Sequence, residues 1–597
     1  MDYAALKAFK KSEYTEAADS YRATGDMADQ AKAGIENQIT ASMRKTLQGV
    51  AVDAALFQLR ELAKNFHYAQ VECGLVSTAL NAFAWDVDAA KQKLDRAVED
   101  AESRKFTVGA DGSVSYPEGG EKTDGKTPKG GTAKGTTDAT ARAINRQAAN
   151  FDPNPHFPVA QECADRIAEA LKEATEADEK WAPKLRSLRA DDDLTVSESD
   201  WVDAQADMGR VGEGAKSYLD HIKAPPKDGD PEANADWWKK LSDREKSAYL
   251  AVHPAAVGAL NGLPAEVRDE ANRTVLDEKK AQYRQRLDAI PKEPERFIIF
   301  RDSVKTNADW VKWNSKYGDE REQLREALKG MDAIQKRLDN TGGRTNVPEA
   351  YLLAFHPEKD GRVVLANGNP DTADHTAIYV PGTKTHLGSI EGDLNRGVKL
   401  WRASDSLGAS SKISTITWFD YDAPDALANA TKDHYAEKGG PDLREYLDGN
   451  KAAHQSATGS TAHTTIIGHS YGSTVIGDGA KSGHWPEGPL AVDDVIAAGS
   501  PGMQARRAAD LGIKPGHMWA EKADNYDDWF VREGGRNVGL GGDRVIPTDK
   551  EFGAQVMKSD APDHGGYWNM DDDGKPSVSL QNQARVIVGE YGEVTLE

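Results

Sequence analysis

The stretch Thr464-Thr465-Ile466-Ile467-Gly468-His469-Ser470-Tyr471-Gly472-Ser473 decides the fold. Its first four residues, all β-branched and half of them isoleucine, read as a buried strand. The strand pattern stops at Gly468, and helix-compatible text runs from Tyr471 to Ala480. Ser470 therefore stands between a strand and a helix, with Gly468 and Gly472 on either side. G-x-S-x-G is short enough to arise by chance. The strand before it and the helix after it give it chemical meaning, because a nucleophile has to be presented on a strained turn with small neighbours. The helix start also aims its dipole, and the Tyr471 amide, at an oxyanion forming on the substrate.

A serine hydroxyl attacks only with help from a neutral imidazole, itself oriented by a carboxylate. Where the serine sits on such a turn, the chain order is serine, acid, histidine. "GHMWAEKADNYDDW" (Gly516 to Trp529) supplies a strand with Asp524 just past its end, and Asp524 is the expected acid. Asp527 and Asp528 are close rivals. His484 lies too near the nucleophile helix, and His517 begins the strand that carries the acid. His564, in "SDAPDHGGYW", follows the acid and is the expected base. His469 points away from its neighbour on a sharp turn and reads as packing or hydrogen-bonding support. A second oxyanion amide should come from the loop that ends "AIYVPGTKT", at Thr383 or at Gly382.

Around this centre the period of the sequence changes once. From residue 350 onward, "YLLAFHP", "GRVVLANG", "TAIYVPGT", "ISTITWFDYD", "HTTIIGHS", "AVDDVIAAGSPG" and "GHMWAEKAD" are β-rich runs, mostly separated by helical text. That alternation predicts an α/β domain, a doubly wound and mostly parallel sheet, over 291–597. The first 108 residues read as an α-helical hairpin, with a seam through Leu56, Leu59, Ala63, Phe66, Cys73, Val76, Leu80, Phe83 and Val87. Residues 109–139 are rich in Gly, Lys, Thr and Pro and read as a flexible linker. Residues 140–290 form a second helical region.

The 597 residues carry a net charge of −22, which argues against nucleic acid and anionic membrane as main partners. No apolar run is long enough to span a bilayer, and no classical signal peptide is read at the N-terminus. The expected location is the cytoplasm, or outside the cell by a route without such a signal. Cys73 and Cys163 fall on apolar stripes and read as buried thiols. Gly120 to Thr127 matches the phosphate-loop pattern but lacks the strand before it and the helix after it. Asn569 to Gly574 begins like a calcium loop but offers Leu580 where a bidentate carboxylate is required, so it reads as a polar turn. No metal or cofactor is expected.

The segments "HPAAVGALNGLPAEVRDEANR", "AIYVPGT", "TWFDYDAP", "GHSYGSTV", "AAGSPGM", "IPTDKEFGA" and "DHGGYW" run in order from His253 to Trp568. In them the chain resembles the α/β-hydrolase superfamily, and more narrowly an α/β-hydrolase family of high-GC Gram-positive bacteria. The resemblance implies a Ser-Asp-His hydrolase with Ser470 and His564 in their expected roles; it carries no substrate, and the residues themselves are read as cleaving an ester, or an amide or thioester. Members of that family carry a proline near the acid, and this chain reads "KADNYDDW" there. The N-terminal hairpin is loosely similar to the helical hairpins exported by type VII secretion. Tyr68-Ala69-Gln70-Val71-Glu72 fits the loose export pattern, but within a helix. An alternative reading makes the helical half a protein-binding region and the hydrolase domain secondary. No long amphipathic lid with a lipid face stands out, which counts against a lipid-acting enzyme.

Overall fold

The computed structural model describes the chain apart from residues 123–124, 189–194, 227–228, 301–302, 344–345, 409–410, 482–488 and 572. The apolar seam near the N-terminus becomes one side of a long helix. Leu75, Ala79, Ala82, Val87, Ala90 and Leu94 are all buried along it. Helix α1 (Lys11–Ala33) and the 54-residue helix α2 (Val50–Ser103) form an antiparallel pair. Contacts fix the direction: Lys11 meets Asp88, Gly25 faces Cys73, and Lys32 reaches His67. Tyr68 and Glu72 lie inside α2. Among the described residues, no helix is long and apolar enough to cross a membrane.

Residues 109–139 correct the linker expectation. Strands β1 (Thr107–Val108), β2 (Val114–Tyr116) and β3 (Gly131–Ala133) form a small antiparallel sheet. Val114 and Ala133 are buried in the core that holds helix α3 (His156–Ser187). Asn154 Nδ2 donates to the carbonyls of Pro117 and Lys129, both at 3.0 Å, and Gln161 Nε2 donates to Lys134 at 2.8 Å. The anchor is made of polar side chains satisfying backbone groups, which composition alone does not reveal.

Helices Glu198–Gly214, Pro231–Lys240 and Asp243–Val252 complete the helical core around Trp181, Trp201 and Trp237. Helix α4 (Ala265–Ala289) then joins the two halves of the chain. Ala271 and Ala281 face the helical core, whereas Leu276 and Tyr283 belong to the next core. A border at residue 290 therefore misplaces α4, which serves the sheet as much as the helices. Its polar side chains also close a sheet edge. Asp269 Oδ1 accepts the Leu352 amide at 2.6 Å, and Asn272 and Arg273 donate to the carbonyls of Leu352 (3.0 Å) and Ala350 (3.1 Å). An uncovered edge would offer those groups to a foreign strand. A separate hairpin follows, β4 (Phe297–Phe300) and β5 (Ser303–Thr306), and then helix α5 (Asp319–Leu338).

The main sheet contains β6 (Ala350–His356), β7 (Arg362–Asn367), β8 (His375–Val380), β9 (Ile413–Phe419), β10 (His463–His469), β11 (Asp494–Ala498), β12 (Met518–Glu521) and β13 (Gln555–Val556). Their order is β13-β12-β11-β10-β8-β9-β7-β6, and only β7 runs against the others. The seven β-rich runs of the sequence account for seven of these strands; β13 is two residues long and leaves no readable pattern. Successive side chains point to opposite faces. Ile466 joins the core under helices α7 (His434–Thr458) and α8 (Tyr471–Lys481). Ile467 joins the one under α6 (Glu391–Leu407) and α10 (Val578–Ile587). The chain leaves β8 through α6 to β9 on one side and comes back through α7 to β10 on the other. A crevice at the carboxyl ends of the strands belongs at that reversal.

Candidate active site

Strands β8 and β10 run in register, Val380 opposite Gly468, so Pro381-Gly382-Thr383 and His469-Ser470-Tyr471 leave the sheet side by side. Ser470 sits at φ +52°, in the left-handed region. A side chain held there costs on the order of 1–3 kcal/mol and persists only where the surroundings fix it. They do so here. The Ser470 amide donates to Ala498 at 3.0 Å, and its carbonyl accepts the Ser473 amide at 3.0 Å and the Ser473 hydroxyl at 2.6 Å. Helix α8 starts at the next residue. A Cβ at Gly472 would stand 2.2 Å from the Val380 carbonyl oxygen, so the turn closes only over a hydrogen.

Tyr471 is fully buried. Its hydroxyl donates to the Lys432 carbonyl and accepts the Ala436 amide at 3.3 Å, which ties the start of α8 to that of α7. Burial pushes its phenol up, so it stays neutral. Thr383, Ser470 and His564 line one cavity of about 530 Å³.

The carboxylate that pairs with His564 is not the expected Asp524 but its neighbour Asp528. His564 Nδ1 lies 2.8 Å from Asp528 Oδ1, whereas Asp524 and Asp527 are exposed. Asp528 is completely buried in the first turn of helix α9 (Tyr526–Val538), which Asn525 caps by accepting the Asp528 amide at 2.7 Å. Burial opposes its charge. The hydrogen bonds from His564, Tyr567 (2.6 Å) and Arg532 (2.8 Å) outweigh that and hold the carboxyl below its usual value. An ionised Asp528 fixes the His564 proton on Nδ1. Nε2 is buried and has no hydrogen-bond partner. It shares the cavity wall with Ser470 without bonding to it, and contacts of this kind tighten when substrate enters.

Two further residues shape the pair. Gly499, at φ +57°, ends β11; a Cβ there would stand 2.7 Å from Asp528 Oδ1 and 2.8 Å from His564 Cε1. His469 Nε2 donates to the His564 carbonyl at 2.7 Å, and its ring packs edge-on against Trp568 at 5.0 Å. Burial keeps its imidazole neutral. This is the supporting place expected for His469. His517 lies at the far end of the sheet on Asp494, and His484 falls outside the described residues. The phosphate-loop match includes residues outside them too; it lies in the connection from β2 to β3, where the Gly119 amide just before it donates to the Pro128 carbonyl just after it. Asp572 is also outside them, and Asp571 and Gly574 form a turn with Lys575.

Residues 356–533 match a family described as alpha/beta hydrolase. An uncharacterized protein of Mycobacterium tuberculosis is 27% identical over 407 residues, covering 61% of this chain and 56% of that protein. An uncharacterized protein of Mycobacterium bovis is 30% identical over 182 residues, covering 29% of this chain and 65% of that protein. The chain thus spans 56% of the length of the first of these relatives. The strand order of the main sheet fits an α/β-hydrolase fold in the C-terminal region, the region where the match lies. The matched span includes Ser470 and Asp528 and ends before His564.

Proposed function

We propose that this chain is a serine hydrolase that cleaves an ester through a covalent acyl-enzyme. The observation that carries the reading is a left-handed Ser470 sharing a cavity with His564, whose Nδ1 is held by a buried, ionised Asp528. Ser470 Oγ attacks the carbonyl carbon while His564 Nε2 takes the hydroxyl proton. Asp528 steadies the imidazolium that forms. The amides of Tyr471 and Thr383 stabilise the oxyanion, with the α8 dipole behind the first. When the intermediate collapses, His564 gives its proton to the departing alcohol. Water, deprotonated by the same imidazole, then releases the acid and restores Ser470. Amides and thioesters follow the same path with a different leaving group.

Reaction with a fluorophosphonate probe tests this, with Ser470→Ala as control. The reading expects one adduct per chain, lost in the variant; labelling that survives the substitution ends it. A second reading, a protein partner for the helical half, rests on Leu47, Val50 and Phe57, which are exposed around the turn between α1 and α2. Crosslinking of the full chain with and without Val50→Asp and Phe57→Asp tests it: partner adducts lost in the variants support it, and unchanged adducts remove it.

A further inference from the structure

Helix α9 is built inside out. Its inward face carries Asp528 and Arg532, the acid and one of its donors. Its outward face carries Tyr526, 71% exposed, with Trp529 and Phe530 about half exposed. The rings of Tyr526 and Phe530 stand 6.1 Å apart and those of Tyr526 and Trp529 5.8 Å, so they form one apolar surface. Leu427, from the loop after β9, is 47% exposed and faces the same opening. Leu427, Tyr526, Phe530 and Val531 wall the cavity that holds Ser470 and His564. Among the described residues, its remaining charged side chains are one cation, Lys384, and one anion, Asp527. Such a pair gives no preference for a charged ligand. Apolar groups gathered at the mouth of a cavity, rather than scattered, mark a ligand site.

Building on the hydrolase reading, we propose that the substrate is an uncharged ester bearing an extended hydrocarbon chain, which lies along Leu427, Tyr526, Phe530 and Val531 with its carbonyl at Ser470. The occupant follows from continuity: the apolar wall ends on the nucleophile, so whatever covers it is joined to the scissile group. Each methylene taken from water onto the wall contributes about 0.8 kcal/mol, or about fourfold in kcat/KM. The chain belongs to the acyl part or to the alcohol, and the experiment separates the two.

Two ester series are measured: p-nitrophenyl acetate through decanoate, and acetates of alcohols from ethanol to decanol. The expected result is a kcat/KM that rises about fourfold per methylene in one series and then levels. The ratio of long-chain to short-chain kcat/KM falls at least tenfold in Phe530→Asp and Leu427→Asp. Flat or falling profiles in both series, from protein whose Ser470 still labels with fluorophosphonate, overturn the chain-binding proposal and leave the hydrolase reading standing. If Ser470 does not label and no ester turns over, the hydrolase reading fails, and calorimetry with uncharged decyl acetate decides the wall: binding weakened by Phe530→Asp supports it, and no binding overturns it. Flat profiles together with self-association abolished by Phe530→Asp identify the mouth as a contact between copies and also overturn the proposal.

Discussion

The two ends of the main sheet hold the same kind of pair and use it differently. At the carboxyl ends, Asp528 takes His564, Tyr567 and Arg532, and His564 Nε2 is left without a partner beside Ser470. At the opposite ends, Asp494 accepts from His463 Nε2 (2.9 Å), His517 Nδ1 (3.0 Å), Trp519 Nε1 (2.9 Å) and the Tyr591 hydroxyl (2.6 Å). His463 Nδ1 is also engaged, by the Ile587 carbonyl at 2.9 Å. Both aspartates are completely buried, and both are held below the usual carboxylate value although burial opposes it. An aspartate–histidine pair is therefore not in itself chemistry. What separates the ends is a ring nitrogen with nothing to bind and a nucleophile near it.

The comparison can be broken at several points. Ser470→Ala should lower esterase kcat by ~10⁴-fold or more with the fold retained, read by turnover and thermal melting. Asp528→Asn should lower kcat by about 10³- to 10⁴-fold, because the imidazole loses the partner that fixes its tautomer. Gly499→Ala forces a Cβ into both members of the pair and should lower kcat roughly 10- to 100-fold.

At the other end, Asp494→Asn should leave kcat alone and destabilise the domain by about 3 kcal/mol, measured by denaturant unfolding. That loss should depend on pH. Hydrogen bonds that His463 donates to Asp494 and to the Ile587 carbonyl raise its pKa above 6.5 against the effect of burial, so its contribution is full below that value and fades as pH rises through the folded pKa. Asp494 is depressed below 3.8, so its contribution is present above that value and fades as pH falls through the folded pKa. The difference between native and variant stability should therefore peak between those limits and shrink as pH rises through the folded His463 pKa. The smallest effect belongs to Asp524→Asn, an exposed carboxylate, at within about 0.5 kcal/mol in stability and in the activation barrier.

Much of this was legible in the chain. The strand run into Ser470, the order of strands and helices, and the late His564 all depend on local pattern. For the carboxylate beside His564 the sequence points to Asp524 ahead of its rivals Asp527 and Asp528, and the structure pairs His564 with Asp528. Three aspartates within five residues look alike, and burial separates them. The signal available was Asn525 three residues earlier, a helix cap that turns Asp528 inward. Helix α9 also inverts the usual polarity, so its pattern suggests a solvated face where the acid lies. Helix α4 falls in the helical region because its text is helical up to residue 290, yet Asp269 and Arg273 satisfy a strand edge.

The most direct measurement is the rate of fluorophosphonate labelling, mapped by mass spectrometry, in native protein, Asp528→Asn and Asp524→Asn. The account predicts a single adduct on Ser470, formed at the same rate in native protein and Asp524→Asn and at least 100-fold more slowly in Asp528→Asn. Equal labelling in Asp528→Asn, or an adduct on any other residue, would contradict it.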